Sequence, residues 1–143
     1  LGGIVDSEAI DFMSSHPEAY RQLSNPRTLE DIEEIERRLN QQSRHFIPQH
    51  LIADVADQIQ DGDIIAATST VQGLDVGHTG LALWVDDKLY LLHAPLVGES
   101  VQISEQPLAN RITAIDGQDG IIIARPHEPG EPALSGSALR REG

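Results

Sequence analysis

The chain has 143 residues, 23 of them acidic and 10 basic, for a formal charge of −13, and it contains no cysteine. A single lysine, Lys88, and scattered arginines form no stripe able to neutralise a phosphate backbone, which argues against nucleic acid and against an anionic membrane surface as partners. The missing cysteines exclude a disulfide framework and thiolate metal ligands, and no apolar run approaches the roughly 18 residues that span a bilayer.

The first residues, Leu1-Gly2-Gly3, include no initiator Met and have neither the basic n-region nor the apolar h-region of a signal peptide. The next 60 or so residues carry helix signals. Ser7 can cap a short helix over Glu8 to Ser14, and Pro17 fits the first turn of another that runs to about Leu23. Asn25-Pro26 breaks the chain, after which Thr28 is a suitable N-cap with Glu30 and Asp31 in the first turn. Leu29, Ile32, Ile35 and Leu39 then recur at spacings of three and four, which predicts an amphipathic helix with one buried stripe. Pro48 is placed to open a fourth helix through Leu51, Ile52, Val55 and Ile59, closing near Asp61-Gly62.

From Asp63 the apolar pattern shortens to strand length. Five strands are predicted over Ile64 to Ala67, Thr79 to Val85, Leu89 to Ala94, Val101 to Ile103 and Ile121 to Ala124. Helices first and strands afterwards imply an α+β domain over residues 1–125, with N-terminal helices packed on one face of a five-stranded antiparallel sheet. Residues 126–143, rich in Pro, Gly, Ser and charge without periodicity, read as a mostly disordered tail.

The stretch "GLDVGHTGLALWVDDKLYLLHAP" from Gly73 to Pro95 places a histidine near each end of a two-stranded ribbon. With Asp86-Asp87 as a two-residue loop, Trp84 faces Leu89, Ala82 faces Leu91 and Gly80 faces His93. Strand alternation then puts His78 and His93 on one side of the ribbon as diagonal neighbours, with Cα atoms on the order of 7 Å apart. A three-residue loop would separate them. An edge position implies that both are partly exposed. Three readings fit this spacing: two satisfied histidines at a sheet end, a metal site completed by Asp75, or a general base (His78) with its orienting partner (His93). No nucleophile is evident for the third.

The order "DGDIIAATS", "LDVGHTGLALWV", "LYLLHAP" resembles papain-like cell-wall hydrolases of the NlpC type, and within them the N-acetylmuramoyl-L-alanine amidase-like family. The upstream "FMSSHPEAYRQL", "IERRLN" and "FIPQHLI", and the later "QPL" and "GIIIARP", are similar to that family too, so the likeness extends to about Pro126. The resemblance implies a papain-like fold, peptidoglycan or a muropeptide as substrate, cleavage of the amide between N-acetylmuramic acid and L-alanine, no cofactor and no metal. It implies a location in the periplasm or cell envelope. By resemblance the catalytic base falls on His78 and the third polar residue on His93. The family's nucleophile is a cysteine at a helix start upstream of Leu1, so the chain is expected to be the C-terminal portion of a longer protein. The alternative is a non-catalytic module that binds cell-wall sugar or peptide.

Thr70, Asp75 and Gly77 are candidate substrate contacts near the histidines, and Ser69 is read as a turn-capping hydroxyl. His16, in "SSHPEAY", reads as a helix-entry residue or a second-site contact, and His45, His50 and His127 as surface residues.

Overall fold

A computed structural model of the chain describes residues 3–98, 100–127 and 130. Most of residues 126–143, read above as a tail, lies outside the described residues. The domain is α+β, built on a single antiparallel sheet of seven strands where five were expected: β1 (Ile4–Asp6), β2 (Arg44–Pro48), β3 (Ile64–Ser69), β4 (Val76–Val85), β5 (Lys88–His93), β6 (Gln102–Ile103) and β7 (Gln118–Ala124). Their order across the sheet is β1-β2-β7-β3-β4-β5-β6. The two additional strands come from the segment assigned to helices. β2 is the "RHFIP" run, and Pro48, expected to open a helix, instead ends this strand. Proline is tolerated at a strand terminus because the amide it lacks is not needed there.

The helical half is more broken than its periodicity suggested. α1 (Phe12–Ser15) spans a single turn. The segment after Pro17 forms two 3₁₀ turns, Pro17–Ala19 and Arg21–Ser24. α2 (Pro26–Asn40) starts earlier than predicted, because the Asn25 side chain rather than Thr28 caps it, accepting from the Arg27 amide with Pro26 in the first turn. Its apolar stripe is not buried as a unit: Ile35 and Leu39 are exposed, and the buried residue is Glu36, which accepts from the Ser14 amide. α2 packs chiefly on α1 and the Arg21–Ser24 turn, so it does not supply the layer over the sheet.

That layer comes from α3 (Ile52–Val55), its flanking 3₁₀ turns, and α4 (Leu108–Ala114), a helix that the sequence reading did not predict. Ile52, Ile59, Leu108 and Ile112 meet Ile47, Ile65, Ala67, Ala82, Leu89, Leu91 and Ile121 from the sheet in one core. Two buried polar groups pin its edges. The Asp63 carboxylate accepts from Nε and Nη2 of Arg125, both at 2.7 Å, and from the Gln60 amide at 2.8 Å. Ser104 Oγ accepts from the Leu91 amide and donates to the Gln106 carbonyl, tying the strand that carries His93 to the turn before α4. On the opposite face, Ile64, Leu81, Leu92 and Ile103 line up across four strands. Among these, Ile64, Leu81 and Ile103 are exposed.

Candidate functional site

The ribbon forms in the expected register, with Trp84 opposite Leu89 and Ala82 opposite Leu91. Asp86 and Asp87 both take positive φ, 47° and 60°, the combination that a two-residue type I′ turn requires. An even loop preserves side-chain parity, so His78 and His93 project from the same face as Ala82, Leu89 and Leu91. Their rings meet edge to face with centroids 4.9 Å apart, and Nε2 of His78 lies 2.8 Å from Nδ1 of His93. Gly80 makes this approach possible. A Cβ there would stand 2.7 Å from the Leu92 carbonyl oxygen and 2.8 Å from Leu91 carbon atoms, which would force β4 and β5 apart.

Exposure differs between the two rings. His78 is half-buried, whereas His93 is only 5 % exposed and lies within the wall of the cleft rather than at a partly open edge. The correction follows from packing, since β6 pairs with His93 and Ser104 locks Leu91 beside it. Burial holds the pKa of both imidazoles below the ordinary value of 6.5, and the positive charge of Arg111 pushes in the same direction. Both effects favour the neutral imidazole. One nitrogen of the 2.8 Å contact donates and the other accepts. If His78 donates from Nε2, its Nδ1 is left as a free base. His93 then carries its proton on Nε2, which is buried and has no partner among the described residues.

A cleft of about 400 Å³ opens beside the pair, lined by His78, His93, Gly77, Arg111, Gln118 and Glu105, among others. Arg111 and Gln118 were not singled out in the sequence. Their signal was the Leu108–Ile112 spacing of an amphipathic turn that carries Arg111, and the "GQDG" start of β7.

The other candidate residues divide between two places. Gly77 lines the histidine cleft. Thr70 and Asp75 instead line a second hollow, of about 570 Å³, together with Asp6, Glu8, Ser69 and Asp119. Gly77 on the wall of the first and Ser69 on the wall of the second are neighbours: a Cβ on Gly77 would lie 3.7 Å from that of Ser69. Burial raises the pKa of Asp75, as does the charge of Asp6, while Arg44 opposes them. Asp75 thus does not join the histidines, and among the described residues no group of three His, Cys, Asp or Glu side chains is arranged to hold a metal ion. The 2.8 Å contact also argues against a metal shared by those two nitrogens, because ligands at about 2.05 Å on a tetrahedral ion stand roughly 3.3 Å apart. His16 closes α1, with its ring stacked on Phe12 and its Nδ1 on the Phe12 carbonyl.

Comparison with known proteins gives a consistent result. The family model described as AmiA-like, N-acetylmuramoyl-L-alanine amidase-like, matches residues 4–121. Two solved structures of an N-acetylmuramoyl-L-alanine amidase from Bacteroides uniformis ATCC 8492 are similar: one at 38 % identity and TM-score 0.71, covering 84 % of this chain and 52 % of that one, the other at 37 % and 0.74, covering 86 % and 53 %. A Bacteroides fragilis protein called a xylanase is similar at 31 % identity and TM-score 0.72, over 85 % of this chain and 54 % of its own. The chain spans about half the length of these relatives. No curated protein matches it. With the match running from the first strand into the last, the chain belongs to the N-acetylmuramoyl-L-alanine amidase-like family.

Proposed function

We propose that the natural protein carrying these residues is a peptidoglycan amidase of papain-like, NlpC-type fold: a cysteine hydrolase that cleaves the amide between N-acetylmuramic acid and L-alanine in cell-wall fragments. The observation that carries the reading is the 2.8 Å contact between His78 Nε2 and His93 Nδ1, which holds one imidazole by the other; with His78 as the donor, its Nδ1 is the base. A base that must abstract a proton from one defined direction needs such a partner to fix its tautomer and ring plane.

The chemistry runs as follows. His78 Nδ1 takes the proton of a cysteine thiol, which is assigned to a part of the protein outside these 143 residues. The thiolate attacks the lactyl carbonyl of the muramic acid, forming the C–S bond, and the tetrahedral adduct collapses as the C–N bond breaks. His78 returns the proton to the departing L-alanine nitrogen. Water, deprotonated by His78, then cleaves the thioester and restores the thiol. His93 acts as a positioning residue, and its Nδ1 accepts from the imidazolium that forms in each half-reaction. Gly77, lacking a side chain, gives the substrate close access to the pair. Thr70 and Asp75, which line the second hollow with Ser69, the neighbour of Gly77, are proposed contacts for the more distant part of the muropeptide. Thiolate chemistry calls for no metal or cofactor. The substrate fits a location in the periplasm or cell envelope; among the described residues no helix is long and apolar enough to cross a membrane.

The xylanase name on one neighbour does not transfer readily. Glycoside hydrolysis uses a pair of carboxyl groups across the scissile bond; the histidine cleft has one, Glu105, and the carboxylates Asp6, Glu8, Asp75 and Asp119 line the other hollow, which neither imidazole lines. The absence of cysteine favours one other reading, a non-catalytic module that binds cell-wall sugar or peptide. Incubation of the natural protein with N-acetylmuramoyl-L-alanine, assayed for the newly freed amine of L-alanine, separates the two. Amine release that His78→Ala abolishes is expected; binding without release would replace the amidase by the binding module.

A further inference from the structure

We infer that Arg111 is the anion-recognition residue of the histidine cleft, where its guanidinium holds the carboxylate of an N-acylated amino acid or peptide. This deepens the amidase reading and rests on it for the position of the scissile amide beside His78.

The first support is the company that Arg111 lacks. Arg37 pairs with Glu34, Arg44 with Asp6 and Arg125 with Asp63, and Arg21 and Arg27, for which no ion pair is formed among the described residues, are exposed. Arg111 is half-buried, yet among the described residues no ion pair or side-chain hydrogen bond engages its guanidinium, although the chain carries 23 acidic residues. A partly desolvated guanidinium without an acceptor is costly, and α4 leaves it little freedom to escape, since Leu108 and Ile112 on either side of it are fully buried.

The second support is clustering. The buried side-chain polar atoms without a hydrogen-bond partner among the described residues are His93 Nε2, Arg111 Nε and Gln118 Oε1, and all three residues line this one cleft. Elsewhere the described side chains satisfy their buried polar atoms, so hydrogen bonding is left open here. The charged and titratable groups facing Arg111 across the cleft are His78 from β4, His93 from β5 and Glu105 from the segment after β6. Glu105 is exposed and makes no ion pair with it.

The third support is charge matching. With one guanidinium and no second cation in the cleft, the site suits a singly charged carboxylate, which a guanidinium can grip through two parallel N–H bonds. A phosphate would call for additional positive charge. A bound carboxylate would also cancel the repulsion that Arg111 exerts on both imidazoles, so ligand binding and histidine protonation are linked.

Imidazole NMR signals of His78 and His93, followed through pH titrations, test this without requiring turnover. N-acetyl-L-alanine is expected to raise both titration midpoints, and N-acetyl-L-alaninamide, which lacks the carboxylate, is not. In Arg111→Gln the midpoints of the free protein rise, and affinity for N-acetyl-L-alanine falls by about tenfold or more, as loss of a charge-assisted bond implies; Arg111→Lys recovers part of the affinity. The two ligands are compared on the unaltered protein, so that arm stands even if a variant misfolds. If neither ligand binds, or if acid and amide act alike, the inference is overturned. Failure to hydrolyse a muramoyl-L-alanine substrate while the acid still binds through Arg111 would count against the amidase reading alone.

Discussion

Replacing Gly80 by alanine tests whether the closeness of β4 and β5 is what brings the two histidines together. The added Cβ would lie 2.7 Å from the Leu92 carbonyl oxygen and 2.8 Å from Leu91 Cδ1 and Cγ. Ordinary contacts are about 3.3–3.6 Å for carbon to carbonyl oxygen and about 3.5–4.0 Å between carbons. The strands must therefore part by roughly 0.6–1 Å at this point. Leu91 can shift its side chain, but the carbonyl belongs to a backbone fixed by pairing with β6. Overpacking of this kind costs about 1–3 kcal/mol. At about 4 °C per kcal/mol for a chain of this size, the expected loss in Tm is roughly 4–12 °C. Parting the strands also lengthens the 2.8 Å imidazole contact beyond the roughly 3.2 Å limit of a good hydrogen bond. Thermal unfolding measures the first effect, and loss of the bridging imidazole N–H signal the second. Gly77→Ala is the control, because its Cβ would meet nothing closer than 3.7 Å, an ordinary contact. If Gly80→Ala matches Gly77→Ala in stability and keeps the imidazole bond, close approach at Gly80 is not what joins the pair.

The other predictions concern buried polar groups. Ser104→Ala removes the acceptor of the buried Leu91 amide and is expected to cost about 1–3 kcal/mol in urea unfolding. His78 and His93 have folded pKa values below 6.5, so the stability they confer is complete above that value and is lost as the pH falls through it toward the lower folded values; His93→Asn should flatten this part of the stability–pH curve. Asp63 is likewise depressed, chiefly by the Arg125 hydrogen bonds, so its contribution is complete above its ordinary value of 3.8 and disappears as the pH falls through the folded value; Arg125→Ala should reduce that acid dependence and lower the urea midpoint at neutral pH.

What the sequence disclosed follows a physical division. The β4–β5 ribbon was legible because its register depends on a local rule: a two-residue turn, with aspartates that tolerate positive φ, fixes parity for every residue beyond it. The imidazole pair follows from that parity. α2 was recognised by its period, but its surroundings were not, since periodicity marks an apolar stripe without showing what covers it, and Ile35 and Leu39 are in fact exposed. β1 and β2 escaped because three- and five-residue strands depend on partners distant in the sequence. Ile47 pairs with Ile121, a contact across more than half of the chain. Arg111 was missed for the same reason. Nothing near it in sequence says that α4 brings it to His78 and His93, which lie on strands 15 or more residues away.

Whether His93 holds His78 as a working base is read from the rate of N-acetylmuramoyl-L-alanine hydrolysis by the natural protein and its His93 variants. His93→Ala removes the acceptor of the His78 Nε2–H and is predicted to lower kcat by roughly 10²–10⁴-fold. His93→Asn, whose amide oxygen can accept the same bond, is predicted to keep a larger share of the rate. Hydrolysis by His93→Ala at the unaltered rate would show that His93 does not position His78.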